Sequence, residues 1–301
     1  MRILVVGASG LVGQHIVERL RQRGHGATAV ARTRRAGVDH ALDATTASVA
    51  DLRALVAGHD GVVFAAGVDD REIPRKPAYP AFHKGNVEPV ARLLTAAREE
   101  GLTRAVVLGS YYTHFHREHP EWRLTALHPY IRSRVEQARA AREAAGTIPV
   151  AVLELPFVFG RAGDRLPNWS PPLEKWARSR SPLVAPPGGS AATTAGRVAE
   201  VAVEVLELAS GADIPVADEN LTWQEMFTRI AAATGNPRQV RPLPPFVVRV
   251  GLRLVGVAHA LAGREPGLDT AHLSHLLLRE LFIGEGTPGA VEPALRETFS
   301  R

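Results

Sequence analysis

Residues 1–13, MRILVVGASGLVG, constrain the fold of this chain more than any other stretch. Residues 3–6 are an unbroken apolar run, the pattern of a strand buried on both faces. Gly7, Gly10 and Gly13 follow at once, and a helical pattern of Val12, Ile16, Val17 and Leu20 begins beneath them. A strand turning tightly into a helix leaves free backbone N–H groups at the positive end of the helix dipole, where a pyrophosphate can sit. Gly7 allows the tight turn, Gly10 the close approach of phosphate, and Gly13 the packing of helix on strand. A bland strand-to-helix turn also favours glycine, but the position straight after an N-terminal apolar strand favours the nucleotide.

The 301 residues suffice for one large α/β domain, or for a dinucleotide domain with a smaller partner. Cysteine is absent, which excludes disulfides, thiolate metal sites and cysteine nucleophiles. No signal peptide precedes Ile3, and the C-terminal apolar stretch 246–262 is broken by Arg249, Arg253 and His259. It is too short and too charged to span a bilayer, so the expectation is a cytoplasmic protein without a membrane partner. The net charge of +5 rests almost wholly on arginine, Lys76, Lys84 and Lys175 being the only lysines. The arginines are scattered among acids, which reads as solvated helix faces rather than a nucleic-acid surface.

A second strand over 27–31 ends in Arg32-Thr33-Arg34-Arg35. In dinucleotide folds this strand end faces the adenosine ribose, where an acid grips the 2′-hydroxyl and an arginine suits a 2′-phosphate. Arg32 fills the place and no acid does, so NADP is preferred over NAD. A short third strand over 38–42, a helix around 48–57 and a buried strand over 61–67 follow. That strand ends in Ala65-Ala66-Gly67, whose small side chains let backbone lie against a cofactor. Residues 69–80 read as a loop, 86–100 as a helix, and 105–108 as a strand ending at Gly109-Ser110. The alternation predicts a doubly wound parallel Rossmann sheet.

Residues 111–122, YYTHFHREHPEW, read as a loop lining a substrate pocket or forming a lid, and His114, His116 and His119 read as no metal site. Tyr111, Tyr112, Phe115 and Trp169 are candidate pocket walls for a small-molecule substrate. A helix over 130–143 and a strand over 150–155 lead to Pro156-Phe157-Val158-Phe159-Gly160. The domain reading is a dinucleotide-binding domain at 1–160, with sheet elements returning near 190–220, and a smaller, mostly helical substrate lobe at 161–301. Helices are expected over 173–178, 197–209 and 222–233, the last with Thr222 and Glu225 in capping-box spacing.

Ser110 at a strand end, Tyr130, and Arg134 one helical turn later form the catalytic candidate. The i, i+4 spacing puts Tyr130 and Arg134 on one helix face. A fixed cation beside a phenol stabilises the phenolate and brings the tyrosine toward useful acid–base range. Against this stands the fact that a tyrosine on an amphipathic helix is most often packing.

These residues resemble the short-chain dehydrogenase/reductase superfamily in its extended or atypical branch, with the NAD-dependent epimerase/dehydratase type of domain. Gly7-Ala8-Ser9-Gly10-Leu11-Val12-Gly13 matches the GxxGxxG form of that group. The resemblance implies cofactor contacts from Ser9, Leu11 and Val12 in this turn. It implies them also from Asp43 and Ala44 at the adenine and from Ala65, Ala66, Gly67, Asn86, Pro156 and Val158. Ser110 and Tyr130 match the catalytic Ser and Tyr, and Arg134 stands where the family pattern Tyr-x-x-x-Lys has lysine. Arginine can hold ribose and phenolate but cannot give up its proton. A homodimer through the helices at 86–100 and 130–143 is expected from the resemblance alone.

The leading expectation is an NADP-linked oxidoreductase acting on a carbonyl or alcohol, with Tyr130 as general acid–base. The alternatives are a nucleotide-sugar epimerase or dehydratase, drawing on Arg161, Arg165 and Arg197 for a second phosphate site, and a non-catalytic NADP-binding sensor or partner protein.

Overall fold

The apolar run after Met1 becomes strand β1 (Arg2–Val6), whose Ile3, Leu4 and Val5 have no exposed surface. Burying each such side chain is worth roughly 1.5–3 kcal/mol, enough to make this strand the centre of a sheet. In chain order the next strands are β2 (Gly26–Ala31), β3 (His40–Ala41), β4 (Gly61–Phe64), β5 (Arg104–Leu108), β6 (Val150–Glu154) and β7 (Phe157–Phe159). They are followed by β8 (Leu183–Ala185), β9 (Gly189–Thr194), β10 (Asp213–Pro215), β11 (Glu219–Thr222), β12 (Val240–Pro242) and β13 (Glu280–Leu281). These are the strands of a computed structural model that describes residues 1–300.

The chain forms two units. The first contains Met1–Asp70, Tyr79–Leu155 and Gly196–Val216. Its sheet has the order β10-β6-β5-β4-β1-β2-β3, and each neighbouring pair is parallel. The order reverses between β4 and β1, which opens a crevice at the carboxyl ends of those strands, where ligands of open α/β sheets bind. Helix Leu11–Gln22 buries Gly13, Ile16, Val17 and Leu20, a stripe of 3.6-residue period. Helix Pro129–Ala145 buries Tyr130, Ile131, Ser133, Gln137, Ala141 and Ala145 on the same rule. Side chains from β1, β4, β5 and β6, with helices Val49–Val56 and Glu88–Glu99, share one core. The third strand is confined to His40–Ala41, shorter than the 38–42 read from sequence. The helix expected from Asn86 starts instead at Glu88, behind a π-helical turn His83–Val87 that contains Asn86.

The second unit contains Arg71–Ala78, Pro156–Ala195 and the chain from Ala217 onward. It carries helices Ser170–Arg178, Trp223–Ala233, Pro245–Leu261, Ser274–Leu277 and Glu292–Phe299. More of it is helix than strand, yet a four-stranded mixed sheet sits among them: β9 pairs β7 and β13 in parallel and β11 antiparallel. Its core gathers Phe159, Trp169, Leu221, Trp223, Met226 and Phe299. Thr222 caps its helix as the spacing predicts: its hydroxyl accepts from the Glu225 amide while the Glu225 carboxylate accepts from the Thr222 amide.

Candidate active site

Gly7 follows β1 with φ +93°, a backbone state that costs side-chain-bearing residues strain, and a Cβ there would lie 2.6 Å from the Ala65 carbonyl carbon. Its amide donates to the Val30 carbonyl at 2.9 Å, as does that of Ala8 at 3.0 Å, which fastens the turn to the end of β2. A Cβ on Gly13 would lie 2.9 Å from the Ala8 Cα, so only glycine lets helix Leu11–Gln22 come this close to the strand. Gly10 differs: it is exposed, and a Cβ would meet only the Gly7 carbonyl oxygen, at 3.3 Å. It sits at the N-cap with no side-chain hydrogen bond, and the first turn behind it, Leu11, Val12 and Gly13, holds no acid. The start of this helix therefore offers amides to an anion from outside. Ser9 is half-buried, and its carbonyl accepts from Gln14 Nε2 at 3.2 Å.

Arg32 is exposed at the end of β2. Asp43, placed at the adenine by resemblance, accepts from the Thr45 amide at 2.9 Å and the Thr45 hydroxyl at 2.7 Å. These bonds, helped by the charge of Arg32, hold its carboxyl below the usual carboxylate value. The adjacent Ala44 is buried, and its carbonyl accepts from Arg92 at 3.2 Å.

After β4 come the half-buried Ala65 and Ala66 and then the exposed Gly67. A Cβ on Gly67 would lie 2.9 Å from Asn86 Oδ1 and 3.2 Å from an Arg134 guanidinium nitrogen. Asn86 is fully buried and all its amide atoms are engaged within the protein. Its Oδ1 accepts from the Val68 amide at 2.7 Å, and its Nδ2 donates to the Val68 carbonyl at 3.3 Å and to Ser133 Oγ at 3.1 Å. Asn86 thus pins the Ala65–Gly67 turn to helix Pro129–Ala145.

On that helix, Arg134 Nε donates to the Tyr130 hydroxyl at 3.1 Å. One terminal nitrogen of Arg134 donates to Gln137 Oε1 at 2.9 Å and reaches the Leu108 carbonyl at 3.5 Å, two residues before Ser110. Arg134 thereby ties Tyr130 to the end of β5. Tyr130 is 6% exposed. Burial holds its phenol above the ordinary value; Arg134 pulls the other way, and Asp70 and Asp69 add to the upward push. Arg134 does lower this pKa, yet the net shift is upward rather than toward neutral pH. The cost of charging a buried phenol exceeds what one guanidinium returns.

Ser110 is buried, and its carbonyl accepts from the Thr113 amide at 3.0 Å and the Thr113 hydroxyl at 2.6 Å. Residues 112–118, read as loop, form a helix, Tyr112–Glu118, followed by a 3-10 turn, Pro120–Trp122. The cause is tertiary: Thr113 Oγ1 also lies within hydrogen-bond reach of the fully buried Glu154 at the end of β6, and Arg117 grips that carboxylate with both terminal nitrogens, at 2.5 and 2.8 Å. Tyr111 and Phe115 are each 4% exposed and pack edge to face. The Tyr112 ring meets Tyr130 edge-on at 6.4 Å, which brings one of the proposed pocket walls against the catalytic candidate. Residue type alone does not single out Asp69, Asp70 or Glu154; the signal for the first two is the run Val68-Asp69-Asp70 directly behind the small-residue turn.

Pro156 and Val158 belong to the second unit, where Val158 pairs with Thr193 in register. Trp169 lies in that unit's core, its ring 5.4 Å from Phe157 and 4.9 Å from Phe159. Among the described residues no group of three or more His, Asp or Glu side chains is placed to hold a metal ion, and no helix is long and apolar enough to cross a membrane.

Residues 7–147 match the family model described as NAD(P)H-binding. No curated protein matches the sequence. The fold is shared with the human epimerase family protein SDR39U1 solved with NADPH, at 18% identity, covering 99% of each chain with a TM-score of 0.70. It is shared too with the UDP-N-acetylglucosamine 4-epimerase of Methanobrevibacter ruminantium in complex with UDP-N-acetylmuramic acid, at 16% identity and TM-score 0.69, covering 99% of this chain and 96% of that one. MoeE5 in complex with UDP-glucose and NAD is similar at 18% identity and TM-score 0.63, over 81% of this chain and 85% of that one. The match over residues 7–147 covers the glycine turn and the Tyr130–Arg134 pair. Over the whole chain the similarity to these structures is one of fold.

Proposed function

We propose that this protein is an NADPH-linked reductase of a carbonyl on a small organic molecule, with Tyr130 as the proton donor. The observation that carries the reading is the 3.1 Å bond from Arg134 Nε to the Tyr130 hydroxyl, on a helix fastened to the same sheet edge as the glycine turn. The amides of Leu11, Val12 and Gly13, with Gly10 open before them, hold the pyrophosphate, and Arg32 holds the 2′-phosphate. The bound dinucleotide supplies the hydride. A phenol held above its ordinary pKa is fully protonated at neutral pH, which suits donation to a carbonyl oxygen as it becomes an alcohol. Once the proton has left, Arg134 faces the phenolate and offsets its charge. Arginine does not deprotonate, so the proton that Tyr130 gives up is replaced from solvent rather than from Arg134. Ser110 orients the substrate oxygen, and Tyr112 walls the site beside Tyr130.

A second reading, action on a nucleotide-linked sugar, draws on the UDP-sugars in two of the similar structures. It needs a further phosphate site. Arg161 donates instead to the Glu297 and Ser300 carbonyls at 3.2 and 2.6 Å, and Arg197 pairs with Glu200 at 2.8 Å, which favours the first reading.

NADPH oxidation against a panel of aldehydes and ketones tests the proposal. Tyr130→Phe should lower turnover by about 10²–10⁴-fold with nucleotide affinity unchanged, and retained turnover would remove Tyr130 from the mechanism. Turnover should hold up to high pH and fall only as the phenol ionises. Arg32→Asp should weaken NADPH by about 1.5–3 kcal/mol, the worth of a charge-assisted bond, and leave NADH nearly untouched. Equal loss for both, read by calorimetry, would reject the 2′-phosphate assignment.

A further inference from the structure

Helix Pro245–Leu261 contains no fully buried residue. Phe246, Val250, Leu254, Val257 and Leu261 are between 53% and 84% exposed. Their spacing of four, four, three and four keeps all five within an arc of roughly 80° at 3.6 residues per turn, so they form one continuous apolar stripe. The stripe is not a core face left over by poor packing, because the helix already has one. On its opposite side Val248, Leu252, Gly256 and His259 are half-buried, and Gly256 lies so near Thr270 that a Cβ would sit 2.5 Å from its hydroxyl oxygen. Beyond the helix, the Gly263 carbonyl accepts from the Lys76 amide at 3.0 Å and the Glu265 amide donates to the Pro74 carbonyl at 3.0 Å. The helix is therefore anchored by one face and its C-terminal end, with its largest apolar side chains turned outward.

Charge selects the occupant. From residue 226 to 264 the sequence contains six arginines and no aspartate or glutamate. Two of these, Arg249 and Arg253, border the stripe along its length. A second copy packed on this surface would bring its own Arg249 and Arg253 into the same patch with no acid on either helix to offset them. A layer of lipid phosphates offers the complementary charge, and an apolar boundary beneath it takes the five side chains. Arginine stems can lie along that boundary while their heads stay at the phosphates.

We propose that helix Pro245–Leu261 seats the protein on the surface of an anionic lipid bilayer, lying in its plane rather than crossing it. At 17 residues the helix is shorter than the ~20 that a span requires, which is consistent with the absence of a spanning helix among the described residues.

Flotation of the full chain with vesicles tests this. Vesicles of phosphatidylcholine with phosphatidylglycerol should carry the protein, and vesicles of phosphatidylcholine alone should carry at most a tenth as much. Leu254→Glu, and separately the pair Arg249→Glu and Arg253→Glu, should each reduce the floated fraction tenfold or more. The thermal midpoint should stay in place, because the altered side chains are exposed. Failure of the wild-type chain to float with anionic vesicles, or flotation undiminished in both variants, overturns the proposal. So does a dimer by sedimentation equilibrium that Leu254→Glu converts to a monomer, since the stripe would then be an interface between copies.

Discussion

Gly13 shows how much a single missing Cβ decides. The Ala8 Cα stands 2.9 Å from where that carbon would be, and both neighbours are backbone, so nothing can rotate out of the way. Gly13→Ala should cost about 1–3 kcal/mol of stability, the usual cost of overpacking, and should weaken dinucleotide binding by shifting the amides at the start of the helix. Urea denaturation with calorimetry of NADPH binding would check both, and an unchanged variant would mean that the turn yields more easily than its contacts imply. Tyr130 and Arg134 were legible at this scale from their i, i+4 spacing. The balance between them was not, because the penalty for charging a buried phenol depends on what surrounds it: Phe82 and Tyr112 edge-on, and Asp69 and Asp70 nearby.

At the scale of elements, helix Tyr112–Glu118 was hidden in a stretch of aromatics and histidines whose local pattern resembles a loop. It is stabilised from outside, by Arg117 on the fully buried Glu154 and by Thr113 bridging Glu154 to the Ser110 carbonyl. Arg117 also lies 3.7 Å from Asp213 of β10, which Arg142 holds at 2.7 Å. Arg117→Ala leaves a buried carboxylate without its cation, for which about 3 kcal/mol is the expected loss. Adding Glu154→Gln should recover part of it, since the charge is then gone. Thermal unfolding of the single and double variants measures this, and additive losses would show that the pair is not coupled. In contrast, the capping box of Thr222 and Glu225 was readable in advance because every partner lies within four residues.

For the whole molecule, a ligand that binds only the folded chain must raise its stability. NADPH at about a hundred times its dissociation constant should add about 2.7 kcal/mol, seen as a rise in the unfolding midpoint that Gly13→Ala diminishes. The absence of any rise with NADPH, NADP, NADH or NAD would contradict the anion site at the first helix. What the sequence by itself determined were the features set by near neighbours along the chain. These are the buried β1, the glycine turn, the helical stripe of Ile16, Val17 and Leu20, and the facing of Tyr130 and Arg134. Only the tertiary structure decided the pinning of the Gly67 turn by Asn86, the helix built over Glu154, the mixed sheet of the second unit and the direction of the Tyr130 pKa. Each of these depends on groups far apart in sequence, and burial and hydrogen bonding between such groups exist only once the fold has brought them together.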